Sequence, residues 1–363
     1  RSRGLGDVYK RQTLNMPEIS VLLPVYNAAH FIEKAITSIL TQTMKNFEFI
    51  IINDGSTDSS GEILQKFAHK DIRIRLVQRP NKGLISTLNE GIALARSPFI
   101  ARMDADDIAL PNRLKCQYEY LSKHPETLAL GSYIQLMDEY DEVYRTKRLP
   151  IGPHIQEALR WGSPLAHPSV MIRTEAVRKA GGYPSDFPAA EDYALWLRLL
   201  SLGKIDNLPD VLLSYRVHGT SVSHKHARQQ RDSTLRAQAL WIAGRLFDKE
   251  LCRLSSPILL ATLNLPPQKV RGLLARMLAL NPHVIGTTPE QDPEAQKWLP
   301  RILQGPMTPE IRKAMALYHL RAARAPELST RDRLYHLGQC IYYSPHDFIG
   351  KVREFLRGRL QRC

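Results

Sequence analysis

Residues 19–42 read ISVLLPVYNAAHFIEKAITSILTQ, a short apolar run followed by a segment of helical periodicity. The apolar run predicts a buried β-strand, and the segment after it predicts an amphipathic helix. Three further pairs repeat the pattern, beginning with FEFIIIN, IRLV and FIARMD, and Ser59 with Glu62 predicts a capping box at the second helix. Apolar strands that alternate with helices are typical of a mainly parallel sheet covered on both faces. The sequence therefore predicts an α/β fold.

The pattern changes twice farther along the chain. After Pro125, the runs LALGSYIQL, SVMI and VLLSYRV predict strands, and EDYALWLRLLSLG predicts a helix, which indicates a mixed extension of the same domain. From about His224 onward, helical stretches follow that are interrupted by LPPQ and GPMTPE. We predict a leader or assembly artefact at residues 1–16, an α/β domain at 17–224 and a basic α-helical region at 225–363.

Charge and cysteine content narrow the functional classes. The formal net charge is +14, and residues 225–363 hold 23 Lys and Arg against 11 Asp and Glu, which suggests an anionic partner such as a lipid surface or nucleic acid. The four cysteines are widely spaced, so they indicate neither a zinc site nor a disulfide framework and fit a reducing cytoplasm. No apolar run reaches the roughly 20 residues that a membrane-spanning helix needs.

Polar residues follow each of the first four predicted strands. They are Tyr26 and Asn27, then Asn53 and Asp54, then Asn81, and finally the run Asp104–Asp107. In open α/β sheets, ligands bind beyond the carboxyl ends of the strands. Three carboxylates in the stretch MDADD need solvent or a cation between them, because like charges repel. A solvated loop that caps the next helix is the alternative to a metal site.

Seven motifs, taken in order, resemble those of the family-2 glycosyltransferases of bacterial surface-glycan type. They are PVYN (24–27), INDGSTD (52–58), NKGLISTLNEGIALA (81–95), MDADD (103–107), HPSVMIR (167–173), AEDYALWLRL (190–199) and YRVHGTSVS (215–223). The resemblance covers roughly residues 17–224. It implies a GT-A fold, which is Rossmann-like, a nucleotide-diphosphate sugar as donor, a divalent metal (Mn²⁺ or Mg²⁺) and inversion at the anomeric carbon.

The resemblance also implies roles for individual residues. Asp192 would be the general base and Glu191 would orient the acceptor or a loop, although acids at a helix start also serve the helix dipole. Asp106 would be the main metal ligand, with His218 as a further one. Nucleotide-sugar contacts are implied for Pro24, Tyr26, Asn27, Asp54, Lys82, Asp104 and Ala105. Contacts with diphosphate or acceptor are implied for His167, Arg216 and Asp107.

We therefore expect an enzyme that moves a sugar from a nucleotide-sugar donor, with UDP favoured, to a glycan or lipid-linked glycan, as in lipopolysaccharide biosynthesis. A metal-dependent sugar-phosphate nucleotidyltransferase is the alternative, although PVYNAAHF lacks its expected Gly-rich loop. A nucleic-acid partner is not expected. The basic stretch DFIGKVREFLRGRLQRC (347–363) predicts either a helix at an anionic membrane surface or a terminal helix docked on the protein. We expect a cytoplasmic protein, peripheral on the inner membrane in the first case.

Overall fold

The structure is a computed structural model that describes residues 16–159, 162–218 and 227–244 and some later positions, which are 246, 252–253, 269–270, 272–274, 307–309, 311–312, 315–316 and 319. The chain divides into two compact units. One comprises Arg1–Leu159 with Ser163–His224, and the other comprises Arg160–Gly162 with Lys225–Cys363. Residues 1–15 of the predicted leader (1–16) and the predicted basic helix at 347–363 lie outside the described residues.

Four parallel strands form the first half of the sheet in the first unit. They are β1 (Ile19–Val25), β2 (Phe47–Asp54), β3 (Ile74–Arg79) and β4 (Phe99–Arg102). Strand β1 lies between β2 and β4, and β3 flanks β2. Every residue of β1 and β2 is buried, as expected for strands covered on both faces. The predicted parallel arrangement is confirmed for these strands.

Helices connect the parallel strands and cover the sheet. They are α1 (Ile32–Leu40), α2 (Ser60–Lys70), α3 (Leu84–Leu94) and, after β4, α4 (Arg113–Lys123). Helix α3 approaches β1 closely at Gly91, where an added Cβ would lie 2.1 Å from Leu22 Cδ1. The predicted capping box is wrong, because the Ser59 side chain makes no capping hydrogen bond. Asp58 instead accepts a hydrogen bond from the Ser60 N–H at 3.0 Å.

The second half of the sheet is mixed, as predicted. It contains β5 (Ile108–Ala109), β6 (Thr127–Met137), β7 (Val143–Lys147), β8 (Met171–Arg173) and β9 (Lys204–Arg216). Strand β8 joins the halves by pairing antiparallel with β4 and β6, and β6 runs parallel to β9. The strand order is β3-β2-β1-β4-β8-β6-β9-β5, with β7 paired to β6. Strands β5 and β7 were not predicted from the sequence, because β5 has two residues and all of β7 is exposed.

Three short helices belong to this half, namely α5 (His154–Leu159), α6 (Thr174–Lys179) and α7 (Glu191–Leu200). The predicted helix EDYALWLRLLSLG corresponds to α7, whose residues are almost all buried. In the second unit, the described residues include the helix α8 (Ala227–Ile242). Among the described residues, no helix combines the length and the apolar character needed to cross a membrane.

Candidate active site

Parallel pairing brings the polar ends of the first strands to one edge of the sheet. Tyr26 follows β1, Asp54 ends β2, and the acidic run follows β4. The register aligns Ile19 with both Phe47 and Phe99, so the three strands leave the sheet side by side. This edge is where ligands bind in open α/β sheets.

Three carboxylates converge directly after β4. One oxygen from each of Asp104, Asp106 and Asp107 lies within 4.8 Å of the others. Asp107 is buried; its Oδ1 accepts a hydrogen bond from the Arg216 N–H at 2.8 Å, and its Oδ2 has no hydrogen-bond partner among the described residues. Burial, together with the charges of Asp106 and Asp104, raises the pKa of Asp107 well above its usual value. A buried carboxylate oxygen without a partner is costly, and a hard divalent cation would satisfy it, so these residues fit such an ion.

His218 is brought to the same cluster from beyond β9. Its Nε2 lies 2.9 Å from Asp106 Oδ2, although the two residues are 112 positions apart in the chain. The His218 ring also lies 5.4 Å from the ring of Phe31, measured between centroids. The two residues that the resemblance implies as metal ligands are therefore in direct contact.

Arg102 is a site residue that the sequence analysis missed. It is the last residue of β4, it is buried, and it forms an ion pair with Asp104. Burial disfavours its charged form, but the charge of Asp104 and the proximity of Tyr183 outweigh that effect and raise the pKa of Arg102. A fixed positive charge therefore stands among the carboxylates. A single Arg within an apolar run gives no periodic signal that would distinguish it.

Arg216 joins the acidic loop to the turn between β6 and β7. Its Nε donates to the Asp106 carbonyl oxygen at 2.7 Å, its Nη1 donates to the Asp138 carbonyl oxygen at 2.7 Å, and its Nη2 donates to Asp141 Oδ1. The side chain is 1% exposed. The guanidinium is held inside the protein and supports the acidic loop, while the implied contact of Arg216 with diphosphate or acceptor stays a prediction.

The loop after β1 and the loop after β2 are joined by hydrogen bonds. Asn27 has a left-handed backbone (φ 49°), and its Oδ1 accepts hydrogen bonds from the Thr57 N–H at 2.8 Å and the Thr57 hydroxyl at 3.3 Å. The Asn27 N–H donates to Ser56 Oγ at 3.0 Å. Asn27 therefore connects the two loops, which we call the crossed loops (residues 26–31 and 55–59). Tyr26 remains half exposed at their edge.

Asp54 fixes a third loop, which carries Lys82. Its side chain is buried, pairs with Arg79, and accepts hydrogen bonds from the N–H groups of Lys82 at 2.8 Å and Gly83 at 3.0 Å. The exposed Lys82 side chain lies beside this anchored backbone. The sequence analysis missed Arg79, which also pairs with Glu90. Two further residues were predicted to contact the nucleotide sugar. Pro24 is buried within β1, and Ala105 is half-buried between the acids.

Two acids begin α7. Burial, followed by the charge of Asp192, raises the pKa of Glu191 to about 7. Burial likewise raises the pKa of Asp192, whose charge also interacts with Asp104 and Arg102. Acids that only served the helix dipole would have lowered pKa values. The raised pKa of each acid instead fits a group that holds or exchanges a proton in a functional site.

His167 lies at the start of a single 3₁₀ turn (His167–Ser169) and faces an aromatic cluster. Its Nε2 lies 2.7 Å from the Tyr183 hydroxyl, and its ring centroid is 5.9 Å from that of Trp196 on α7. Burial and the charge of Arg102 lower the pKa of His167 well below its usual value, so the ring is neutral. No motif in the sequence distinguishes Tyr183, which is buried here and contacts both Asn89 and His167.

Comparisons with known proteins agree with this arrangement. The family model described as glycosyl transferase family 2 matches residues 20–180. An uncharacterized glycosyltransferase of Haemophilus influenzae is 34% identical over 230 residues, which are 60% of this chain and 71% of the relative. The O-antigen biosynthesis glycosyltransferase WbnJ of Escherichia coli is 34% identical over 207 residues, which are 56% of this chain and 81% of the relative.

Two solved structures share the fold. S. aureus TarS 1–349, crystallised with UDP-GlcNAc, has a TM-score of 0.57 at 17% identity, and the match covers 90% of this chain and 89% of that one. The mannosyltransferase PcManGT from Pyrobaculum calidifontis, in complex with GDP-Man and Mn²⁺, has a TM-score of 0.51 at 20% identity, covering 90% of this chain and 84% of that one. The acidic loop at the sheet edge, the sequence relatives and these folds agree: the chain is a glycosyltransferase of GT-A fold and belongs to glycosyl transferase family 2.

Proposed function

We propose that the enzyme transfers a sugar from a nucleotide-diphosphate donor, with UDP favoured, to a hydroxyl group of a glycan or lipid-linked glycan, with inversion. The observation that carries the proposal is the acidic cluster with its unpartnered Asp107 oxygen at the carboxyl ends of parallel strands. Support comes from the UDP-GlcNAc and GDP-Man complexes of the two structural neighbours. The sugar-phosphate nucleotidyltransferase alternative is not favoured, because the relatives are glycosyltransferases.

Asp106, Asp107 and His218 would hold a divalent ion, Mn²⁺ or Mg²⁺. When bound, the ion would offset the negative charge of the departing diphosphate. Asp106 supplies an oxygen beside His218 Nε2, and Asp107 supplies its unpartnered Oδ2. Asp104, which pairs with Arg102, would contact the ribose. The Mn²⁺ in the mannosyltransferase neighbour supports this assignment.

The nucleotide would lie against the crossed loops and the loop of Lys82. Tyr26 would stack on the base with its exposed ring, and Lys82 would approach the phosphates. Asp54 has one oxygen that already accepts two hydrogen bonds, so only Oδ2, which accepts one, could also accept the base N–H. Asn27 would act by fixing the loop that carries Tyr26.

Asp192 would act as the general base. As the acceptor oxygen attacks the anomeric carbon, its proton passes to the Asp192 carboxylate, and the nucleoside diphosphate leaves with the electron pair of the bond that breaks. The raised pKa that burial gives Asp192 makes it a stronger base than a solvated Asp. Glu191 would orient the acceptor, and His167 would support this region through Tyr183.

We further propose that residues 17–224 form the catalytic domain and that residues 225–363 form a separate basic region. The setting would be the biosynthesis of a bacterial surface polysaccharide, as the names of WbnJ and of the amylovoran biosynthesis glycosyltransferase AmsE suggest. The enzyme would work in the cytoplasm, with its basic region at the inner membrane. Flotation with anionic liposomes tests the membrane contact. A protein that stays in the bottom fraction, away from the liposomes, would exclude the contact.

Thermal stabilisation by nucleotide sugars tests the main proposal. UDP-, GDP- and dTDP-sugars are titrated with Mn²⁺, Mg²⁺ or EDTA against the wild type, Asp106→Asn and the matched control Asp210→Asn, whose position on β9 is exposed. One nucleotide class should stabilise the wild type and the control by about 3 kcal/mol at a hundredfold excess over Kd, only with metal. Asp106→Asn should lose this effect. A wild type that responds to no nucleotide sugar with any metal would refute the proposal.

A further inference from the structure

We propose that the tip of the β6–β7 hairpin, residues 138–144, is a stacking surface for the uncharged sugar units of the acceptor glycan. This inference rests on the proposed function and names the part of the enzyme that receives the acceptor. The tip presents three exposed apolar residues, which are Tyr140 at 77%, Val143 at 48% and Tyr144 at 53%. Three large exposed apolar residues within five consecutive positions make this tip a candidate binding surface.

Hydrogen bonds and ion pairs hold the backbone of the hairpin tip. Asp138 Oδ1 accepts hydrogen bonds from the N–H groups of Tyr140 at 2.9 Å and Glu142 at 3.0 Å. Asp141 has a left-handed backbone (φ 73°) and pairs with both Lys34 and Arg216. Asp tolerates this conformation in turns, and the two ion pairs hold the turn in place.

The tip lies next to the candidate transfer site. The same guanidinium of Arg216 reaches the Asp106 carbonyl oxygen with Nε and the Asp141 carboxylate with Nη2. Tyr140 directly precedes Asp141, so Arg216 connects the segment that carries the exposed ring to the acidic loop. An acceptor whose terminal hydroxyl entered the site would extend its other sugars past this tip.

A β-bulge determines where Tyr144 is placed. The register pairs Leu136 with Arg145 but Met137 with Val143, so Tyr144 is the extra residue on β7. Bulges interrupt the ladder, re-aim a side chain and are over-represented beside active sites. Tyrosine supplies a large apolar face and a polar hydroxyl at low cost in side-chain entropy, which suits the mixed surface of a sugar ring.

The charges around the tip favour a neutral ligand. The segment 138–148 holds four acids (Asp138, Glu139, Asp141 and Glu142) against three bases (Arg145, Lys147 and Arg148), a net charge of −1, and all four acids lie within the tip. A nucleic acid or an anionic lipid surface would require a clear excess of positive charge. Carboxylates beside aromatic rings can instead accept hydrogen bonds from sugar hydroxyl groups. The charged residues of β7 also protect this edge strand from pairing with another chain.

Glycan binding and kinetics test the proposal in the full-length protein. The variants are Tyr140→Ala, Tyr144→Ala, the double variant and the conservative pair Tyr140→Phe and Tyr144→Phe. Ile72→Ala is the matched control, because Ile72 is 101% exposed and precedes β3. Binding is measured on an array of bacterial surface oligosaccharides with UDP and Mn²⁺ present, and KM is then measured for each bound glycan with its UDP-sugar.

Each alanine variant should weaken glycan binding and raise the acceptor KM about tenfold. The phenylalanine variants should restore most of the affinity, because they keep the ring. Donor affinity, measured by thermal shift, should stay within about twofold. Donor affinity separates the proposed donor site from the proposed acceptor surface. If the donor site were wrongly assigned, the wild type would also show no thermal stabilisation by the donor.

Three results would overturn the proposal. A wild type that is retained by no glycan on the array would show that the tip does not bind sugar units. Alanine variants with a wild-type acceptor KM would show that the rings do not contact the acceptor. Alanine variants that dissociate a wild-type dimer, as measured by light scattering, and leave the KM unchanged would assign the tip to a contact between two copies of the chain.

Discussion

Replacing Glu191 with Gln should stabilise the protein in a pH-dependent manner. Burial and the charge of Asp192 raise the pKa of Glu191 from 4.5 to about 7. A group whose pKa is raised in the folded state contributes stability below its unfolded pKa and loses it as the pH rises through the folded pKa. With these two pKa values, the titration of Glu191 lowers the free energy of unfolding by about 3 kcal/mol at pH 8 and by about 1 kcal/mol at pH 5. Gln carries no charge, so it removes this cost.

Urea unfolding followed by circular dichroism measures the effect. The free energy of unfolding of Glu191→Gln should exceed that of the wild type by about 3 kcal/mol at pH 8, and the difference should shrink to about 1 kcal/mol at pH 5. Glu119→Gln on α4 is the matched control, since Glu119 is exposed, and it should change stability by less than about 0.5 kcal/mol at either pH. A Glu191→Gln variant that gains no stability at pH 8, or gains equally at both pH values, would refute this account of the acid pair.

Three further substitutions probe other parts of the site. Asp192→Asn should lower kcat by about 10²- to 10⁴-fold and leave donor affinity intact in steady-state and thermal-shift measurements; an unchanged kcat would remove Asp192 from the proton transfer. Arg216→Gln should cost about 3 kcal/mol in urea unfolding, because the Asp141 carboxylate and the carbonyl oxygens of Asp106 and Asp138 lose a buried partner, and a neutral effect would contradict that role. Gly55→Ala should cost about 1–3 kcal/mol, because Gly55 has φ 74° and the new Cβ would lie 2.6 Å from the Asn81 nitrogen; a variant as stable as the wild type would show that the loop can adjust.

The parallel half of the fold could be predicted because strands buried on both faces appear in the sequence as continuous apolar runs. Residues of β2 are all buried, and the sequence there is almost continuously apolar. Strand β7 carries no such signal, because VYRTK is exposed along its whole length and is defined by its pairing with β6. Its position therefore depends on tertiary contacts that no local pattern records.

The candidate site was predictable where its residues form motifs, as in Asp104–Asp107 and the pair Glu191–Asp192. The supporting residues were not. Arg102 is one cation in an apolar run, and Asp141 is one acid in a polar turn, so neither stands out in the sequence. Their roles arise from contacts across the chain, such as the 75 positions that separate Asp141 from Arg216. Arg216 belongs to a motif for which a ligand contact was predicted. In the structure its guanidinium makes hydrogen bonds within the protein, which the motif alone did not predict.

The crossed loops have a consequence for engineering and for divergence of this enzyme. Asn27 in one loop and Thr57 with Ser56 in the other satisfy each other's hydrogen bonds, so neither loop keeps its conformation without the other. A chimera that imports only the first loop from a relative with a different donor would leave polar groups of the second without partners. Donor preference should therefore be transplanted by exchanging residues 26–31 and 55–59 together, and substitutions in the two segments should be epistatic rather than additive.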